Sequence, residues 1–88
     1  MVSKNVVIVN PTGLHLRPAG LLCETAMQFT SKVTFTTRGN YEANAKSVLS
    51  VLGACVKMGQ SLQLICEGPD EEEALATISA LIEGGLGE

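Results

Sequence analysis

Residues 2 to 9, VSKNVVIV, place Val2, Val6 and Ile8 on one parity and Ser3 and Asn5 on the other. This period of two predicts a strand. Asn10-Pro11 ends it, because the residue before a proline is driven out of the helical region, and Thr12-Gly13 supplies a turn. From Leu16 the period changes: Ala19, Leu22, Cys23, Ala26 and Phe29 recur at helical spacing, which predicts an amphipathic helix of about three turns beginning at His15 or Leu16. Pro18 fits that helix only in the first turn, where a missing N–H costs nothing. Residues 32 to 44 set Val33 and Phe35 against Thr34 and Thr36, turn at Arg38-Gly39-Asn40 and resume as a short second strand, the pattern of a hairpin.

Residues 47 to 56 open on a good N-cap, Ser47, and carry apolar residues at 48, 49, 51 and 52 before Gly53 interrupts, which reads as a short helix. After a turn at Gly59, Leu62, Leu64 and Cys66 alternate as the inward face of a fourth strand. The last helix is predicted to start at Asp70, with Glu73 as its capping-box partner, to bury Leu75, Ile78, Leu81 and Ile82, and to stop at Gly84-Gly85. The Glu71–Glu73 run reads as a solvated first turn matched to the helix dipole, not as a metal site. The order is βαββαβα. Strands apolar on one parity and polar on the other suit an α+β open-faced β-sandwich: a four-stranded antiparallel sheet covered on one face by three helices.

Eighty-eight residues suit a single domain, 1–88, with little room for a large enclosed active site. With no Trp, one Tyr and two Phe, the core is expected to be built from Val, Leu, Ile, Ala and Met. A net charge of −3 and few aromatics deny the chain the basic footprint and stacking residues of a nucleic-acid binder. Cys23, Cys55 and Cys66 are odd in number, lack C-x-x-C spacing and follow no signal peptide, so a reducing, cytoplasmic setting is expected and the thiols read as small buried hydrophobes. No apolar run reaches the 18 to 20 residues, roughly, that a membrane span needs.

The chemistry gathers in NPTGLHLRPAG, residues 10–20, which holds the only histidine. His15 falls at the predicted N-cap of the first helix, where unpaired amides and the positive end of the dipole favour an anion. The same field opposes imidazolium and so favours a neutral, nucleophilic ring. Arg17, within the first turn, can reach a group attached to the ring and pair with phosphate oxygens, and Gly13 lets the backbone present the ring on a tight turn. One histidine with no cysteine nearby in sequence gives no metal site, and no base-orienting carboxylate for a Ser-His-Asp arrangement can be read. What remains is a histidine that itself forms, holds and releases a phosphoryl group. At helical spacing Leu21 points away from the core stripe and is expected to be exposed. With Leu16 and the apolar excess of Val48, Leu49, Val51 and Leu52, it suggests a hydrophobic docking patch beside His15.

Gly13-Leu14-His15-Leu16-Arg17-Pro18-Ala19 and Asn44-Ala45-Lys46-Ser47, together with the length and element order, resemble the HPr family, the histidine-containing phosphocarriers of the bacterial phosphoenolpyruvate-dependent sugar phosphotransferase system. The resemblance covers essentially the whole chain. It implies that His15 accepts phosphate on Nδ1 from enzyme I and passes it to enzyme IIA components, that Arg17 steadies the group, and that no cofactor is needed. It also implies that Ser47 is a regulatory serine, the target in some lineages of an HPr kinase/phosphorylase and the basis of a corepressor role with a catabolite-control transcription factor. A phosphate there would add about −1.5 to −2 charges beside the docking patch, weakening docking while sparing the fold. His15 separates the chain from paralogues that keep the serine but lack the ring. Leu16, often alanine or threonine in relatives, and Gly20 are expected to bear on partner choice, and a monomer is expected. A nitrogen-related or fructose-specific phosphorelay, or a ligand-binding regulatory module, remain the alternatives.

Overall fold

The computed structural model describes residues 1–88 and contains β1 (Val2–Val7), α1 (Leu16–Ala26), β2 (Lys32–Thr37), β3 (Glu42–Asn44), α2 (Val48–Gly53), β4 (Ser61–Glu67) and α3 (Glu71–Glu83). The four strands form one antiparallel sheet in the order β1-β4-β2-β3. The register aligns the apolar parity: Val6 lies opposite Leu62, Leu64 opposite Phe35, Phe35 opposite Ala43, and Cys66 opposite both Val2 and Val33. One sheet face is therefore oily across its width and is covered by the helices, while Ser3, Asn5, Gln63 and Glu42 stand on the open face. Lys4 is an instructive exception. It pairs across from buried Leu64, on the helix side, but β1 is an edge strand, so the side chain reaches out to Glu83 of α3 at 3.2 Å.

The core is a single cluster in which Phe35, Ile8, Leu22, Leu64, Ile78 and Ile82 are the largest fully buried side chains. The expectation that methionine helps to fill it does not hold. Met1, Met27 and Met58 are all exposed, and Phe35 and Phe29 supply the bulk instead. The thiols also divide. Cys66 faces the core from β4, where burial, and then the nearby Glu71 and Asp70, push its pKa up, whereas Cys23 is half-buried and Cys55 is exposed on the loop after α2.

The start of α3 departs from the expected capping box. Asp70 holds the N-cap position but makes no cap bond of its own; its carboxylate accepts from the Thr30 N–H at 3.0 Å, the Ser31 N–H at 2.9 Å and the Ser31 hydroxyl, tying α3 to the loop between α1 and β2. The reach-back bond is made by Glu71, which accepts from the Gly68 N–H at 3.1 Å, and not by Glu73. These hydrogen bonds to the charged form, from the Ser31 hydroxyl foremost and then the Thr30 N–H, hold the Asp70 carboxyl down to about 2. No helix is long and apolar enough to cross a membrane.

Candidate functional site

The site is assembled from three pieces of chain. Beyond β1, Asn10 and Gly13 close a turn through the Gly13 N–H to the Asn10 carbonyl at 3.1 Å. The loop between α2 and β4 runs alongside, stitched to this turn by the Leu14 N–H to the Val56 carbonyl at 2.9 Å. Gly13 is demanded twice over: its φ is +65°, and a Cβ there would stand 2.5 Å from the Val56 carbonyl oxygen. The third piece is the turn after α3, where Leu86 and Glu88 fold back onto the loop. Leu86 is buried, and Glu88 accepts from the side chains of Asn10 and Thr12.

His15 is the N-cap of α1, in extended backbone conformation, exposed, with no side-chain cap bond. The first helical bond is the Ala19 N–H to the His15 carbonyl at 2.8 Å. The amides of Leu16 and Arg17 therefore have no partner in the protein, and Pro18, buried in the first turn, has no N–H to commit. No acidic side chain lies in that first turn. Arg17 is exposed and makes no ion pair, so its guanidinium is free to meet an incoming anion. A shallow hollow beside the ring is lined by Thr12, His15, Leu52, Cys55, Val56 and Lys57, and a second by Arg17, Pro18, Leu21, Leu86, Gly87 and Glu88. The arrangement offers a nucleophilic ring, uncommitted amide donors and a guanidinium at an open surface, which suits a group that must arrive and leave with large partners.

Ser47 is the N-cap of α2, and its hydroxyl accepts from the Ser50 N–H at 3.3 Å. Asn44 braces the approach by accepting from the Lys46 N–H at 2.9 Å, while Lys46 spends its ammonium on the Phe29 carbonyl at 2.7 Å. The two helices pack against each other: Lys46, just before α2, reaches Phe29 beyond the end of α1, and Leu52, near the end of α2, shares the hollow beside His15. Leu16 is 63% and Leu49 82% exposed. Val48 and Leu52 are half-buried, Leu52 against the core, and Val51 is fully buried. Gly20 is half-buried with open space where a Cβ would go. Leu21, expected to be exposed, is half-buried because the Leu86–Gly87 turn lies against it. Thr12, Asn10 and Glu88 escape a reading of the sequence, since their contacts join positions 76 to 78 apart. No cluster of His, Cys, Asp or Glu able to hold a metal ion is present.

The family model described as "PTS HPr component phosphorylation site" matches residues 2–84. The chain belongs to the HPr family. It is thus similar to phosphocarriers of the phosphotransferase system, protein components that carry phosphate and are not enzymes. The phosphocarrier protein HPr of Treponema pallidum is 40% identical over 83 residues, covering 94% of this chain and 93% of that one. The HPr-like protein Crh of Halalkalibacterium halodurans is 39% identical over 83 residues, covering 94% and 98%. Among solved structures, HPr-C-His from Thermoanaerobacter tengcongensis superposes with a TM-score of 0.95 at 40% identity, covering 100% of this chain and 98% of that one. The HPr fold, with its βαββαβα order, is therefore shared in full.

Proposed function

We propose that this HPr-family chain, acting in the cytoplasm as one monomeric domain over residues 1–88, accepts a phosphoryl group on Nδ1 of His15 from phosphorylated enzyme I and hands it to enzyme IIA components. The observation that carries this reading is the placement of an exposed His15 at the N-cap of α1, beside the partnerless amides of Leu16 and Arg17. The family holds both carriers and HPr-like proteins such as Crh, so membership alone does not decide the role, and the presence of the His15 ring supports the carrier reading.

In the transfer, the Nδ1 lone pair attacks phosphorus; the N–P bond forms as the bond to the donor breaks, and the bonding electrons leave with the donor. Charge on the phosphoryl oxygens is met by the Leu16 and Arg17 amides, the positive end of α1 and the Arg17 guanidinium. The second transfer runs the same chemistry in reverse, with this chain as the leaving group. An open surface serves it well, because a deeply held phosphoryl group would not move on. Leu16, Gly20, Leu49 and Leu52, with Val48 and Leu21 at the edges, form the docking face. Ser47, on that face, is the regulatory site: an HPr kinase/phosphorylase would place its phosphate at the α2 N-terminus, and that form would engage a catabolite-control transcription factor.

Incubation with phosphoenolpyruvate and enzyme I, followed by intact mass, is expected to add one acid-labile phosphate to this chain and none to His15→Ala. Equal labelling of the variant would overturn the assignment of His15. No labelling of either protein would favour a ligand-binding module.

A further inference from the structure

We propose that Lys57 is a second phosphoryl-holding cation of the His15 site: its ammonium, brought in by the loop between α2 and β4, meets the oxygens of the carried phosphate from a hollow that Arg17 does not line. The inference rests on the reading of His15 as acceptor. The hollow beside the ring, about 230 Å³ in volume, has apolar walls except at Thr12, His15 and Lys57. The donors of Thr12 are committed, its N–H at 3.3 Å and its hydroxyl at 2.9 Å from a Glu88 carboxylate oxygen. The thiol of Cys55, in the same wall, is turned to the Leu52 carbonyl at 3.7 Å. Lys57 is different. The ion pairs of the fold join Met1 to Glu71 and Lys4 to Glu83, and Lys46 donates to the Phe29 carbonyl, but the Lys57 ammonium has no partner.

The backbone leaves this lysine little choice of place. The bond from the Leu14 N–H to the Val56 carbonyl lays residues 13–14 against 56–57, and a Cβ on Gly13 would stand 2.7 Å from the Lys57 Cα. That Cα therefore rests against a residue two positions before His15. The Lys57 N–H donates to Gln60 Oε1 at 2.7 Å, the Gln60 N–H returns to the Lys57 carbonyl at 3.1 Å, and the Gly59 N–H donates to the Ile8 carbonyl at 2.7 Å. Both backbone groups of Lys57 are thus spent on a tight turn tied to the end of β1, and only the side chain is free. Its flexible four-carbon stem and three donors can swing a charge over the hollow. A phosphoryl group on Nδ1 adds about two negative charges at that mouth. Arg17 and the amides of α1 meet them from the helix, and Lys57 meets them from the facing loop. No bond or proton at Lys57 changes in the transfer. The cation lowers the energy of the phosphorylated chain, and at an exposed position it does so by little enough that the group still leaves.

Lys57→Met keeps an unbranched stem and removes the charge. The measurement is the equilibrium partition of phosphate between enzyme I and this chain, read by intact mass. Lys57→Met is expected to shift it toward enzyme I by roughly two- to fivefold, the scale of an exposed charge pair, and Lys57→Arg to stay close to wild type. The shift should shrink as ionic strength rises. Phosphorus NMR supplies a readout that loss of packing would not move: the ionisation of the phosphate on His15 is expected at higher pH in Lys57→Met, because the dianion has lost a cation, and at the wild-type value in Lys57→Arg. A partition equal to wild type in Lys57→Met, or a phosphate ionisation that does not move, would overturn the inference and leave His15 as acceptor untouched. A shift shared by Lys57→Arg, or indifferent to salt, would overturn it as well, because charge would not be the cause. A wild-type chain that takes no phosphate would overturn both readings.

Discussion

The first turns of α1 and α3 treat the positive end of a helix in opposite ways. At α3, Asp70 stands at the N-cap and Glu71, Glu72 and Glu73 fill the first turn, so the positive end of the helix is met by carboxylates of its own sequence. Two of those carboxylates are occupied: Asp70 with Thr30 and Ser31, Glu71 with the Gly68 amide and the N-terminal amine. At α1 the first turn holds no acidic side chain, a histidine takes the N-cap and an arginine follows it. One helix start is a structural joint that supplies its own anions. The other, on the reading proposed here, receives an anion, and the Glu88 carboxylate from the turn after α3 reaches only Thr12 in the loop before it. A helix N-terminus becomes a working site through what the sequence withholds from it as much as through what it adds.

The sharpest way to break this contrast is to give α1 the chemistry of α3. Arg17→Glu places a carboxylate where the phosphoryl oxygens would lie and removes the guanidinium. We expect phosphoryl transfer from enzyme I to fall by roughly 10²–10³-fold, the scale seen when one oxyanion donor is lost, with the unfolding midpoint unchanged or slightly raised by the favourable dipole. Stopped transfer kinetics paired with a urea melt would check it. A rate within a few-fold of wild type would mean that the anion is held elsewhere.

The converse change, at α3, should touch stability and spare transfer. The Asp70 carboxyl sits at about 2 in the fold, below its unfolded value of about 3.9. A depressed carboxyl stabilises the fold fully above the unfolded value, and this contribution is lost as pH falls through the folded one. Glu71 and Glu88 are lowered in the same direction. The urea midpoint of the wild type is therefore expected to drop between about pH 4 and pH 2. Asp70→Asn should lower the midpoint at neutral pH and flatten its fall through that window, while phosphorylation of His15 stays near wild type. An unchanged acid limb in Asp70→Asn would show that Asp70 is not what ties α3 to the Thr30–Ser31 loop.

The elements were legible in the sequence wherever burial imposes a period. The sheet buries one face, so Val6, Leu62, Leu64, Val33 and Phe35 declare their parity, and Pro18 fixes the start of α1 because a proline in its first turn is harmless. The HPr-like pattern around His15 was visible for the same reason: its parts are neighbours in sequence. What periodicity could not carry was contact across the chain. Asp70 reads as a local cap, yet its partners lie 39 and 40 positions away. Leu21 reads as exposed because a helical wheel knows nothing of the Leu86–Gly87 turn that lies against it. The roles of Thr12, Asn10 and Glu88 exist only once both ends of the chain are folded together.

The start of α2 offers a third case between the other two. Ser47 caps it with a hydroxyl that accepts from the Ser50 amide, and no acidic residue lies in its first turn. Ser47→Asp keeps a good N-cap acceptor and adds the negative charge that suits the helix end, so α2 and the melting temperature should be preserved. The same charge lies two residues from Leu49, which is 82% exposed and belongs to the docking face proposed for partners. A fixed charge in that setting raises the desolvation cost and repels acidic partners without altering the His15 loop. Transfer from enzyme I is expected to slow by roughly three- to tenfold through weaker association. The loss should appear at subsaturating concentrations and recover as this chain is raised. Slowing that persists at saturation would place the effect of Ser47 on the chemistry of His15, and not on the surface where partners land.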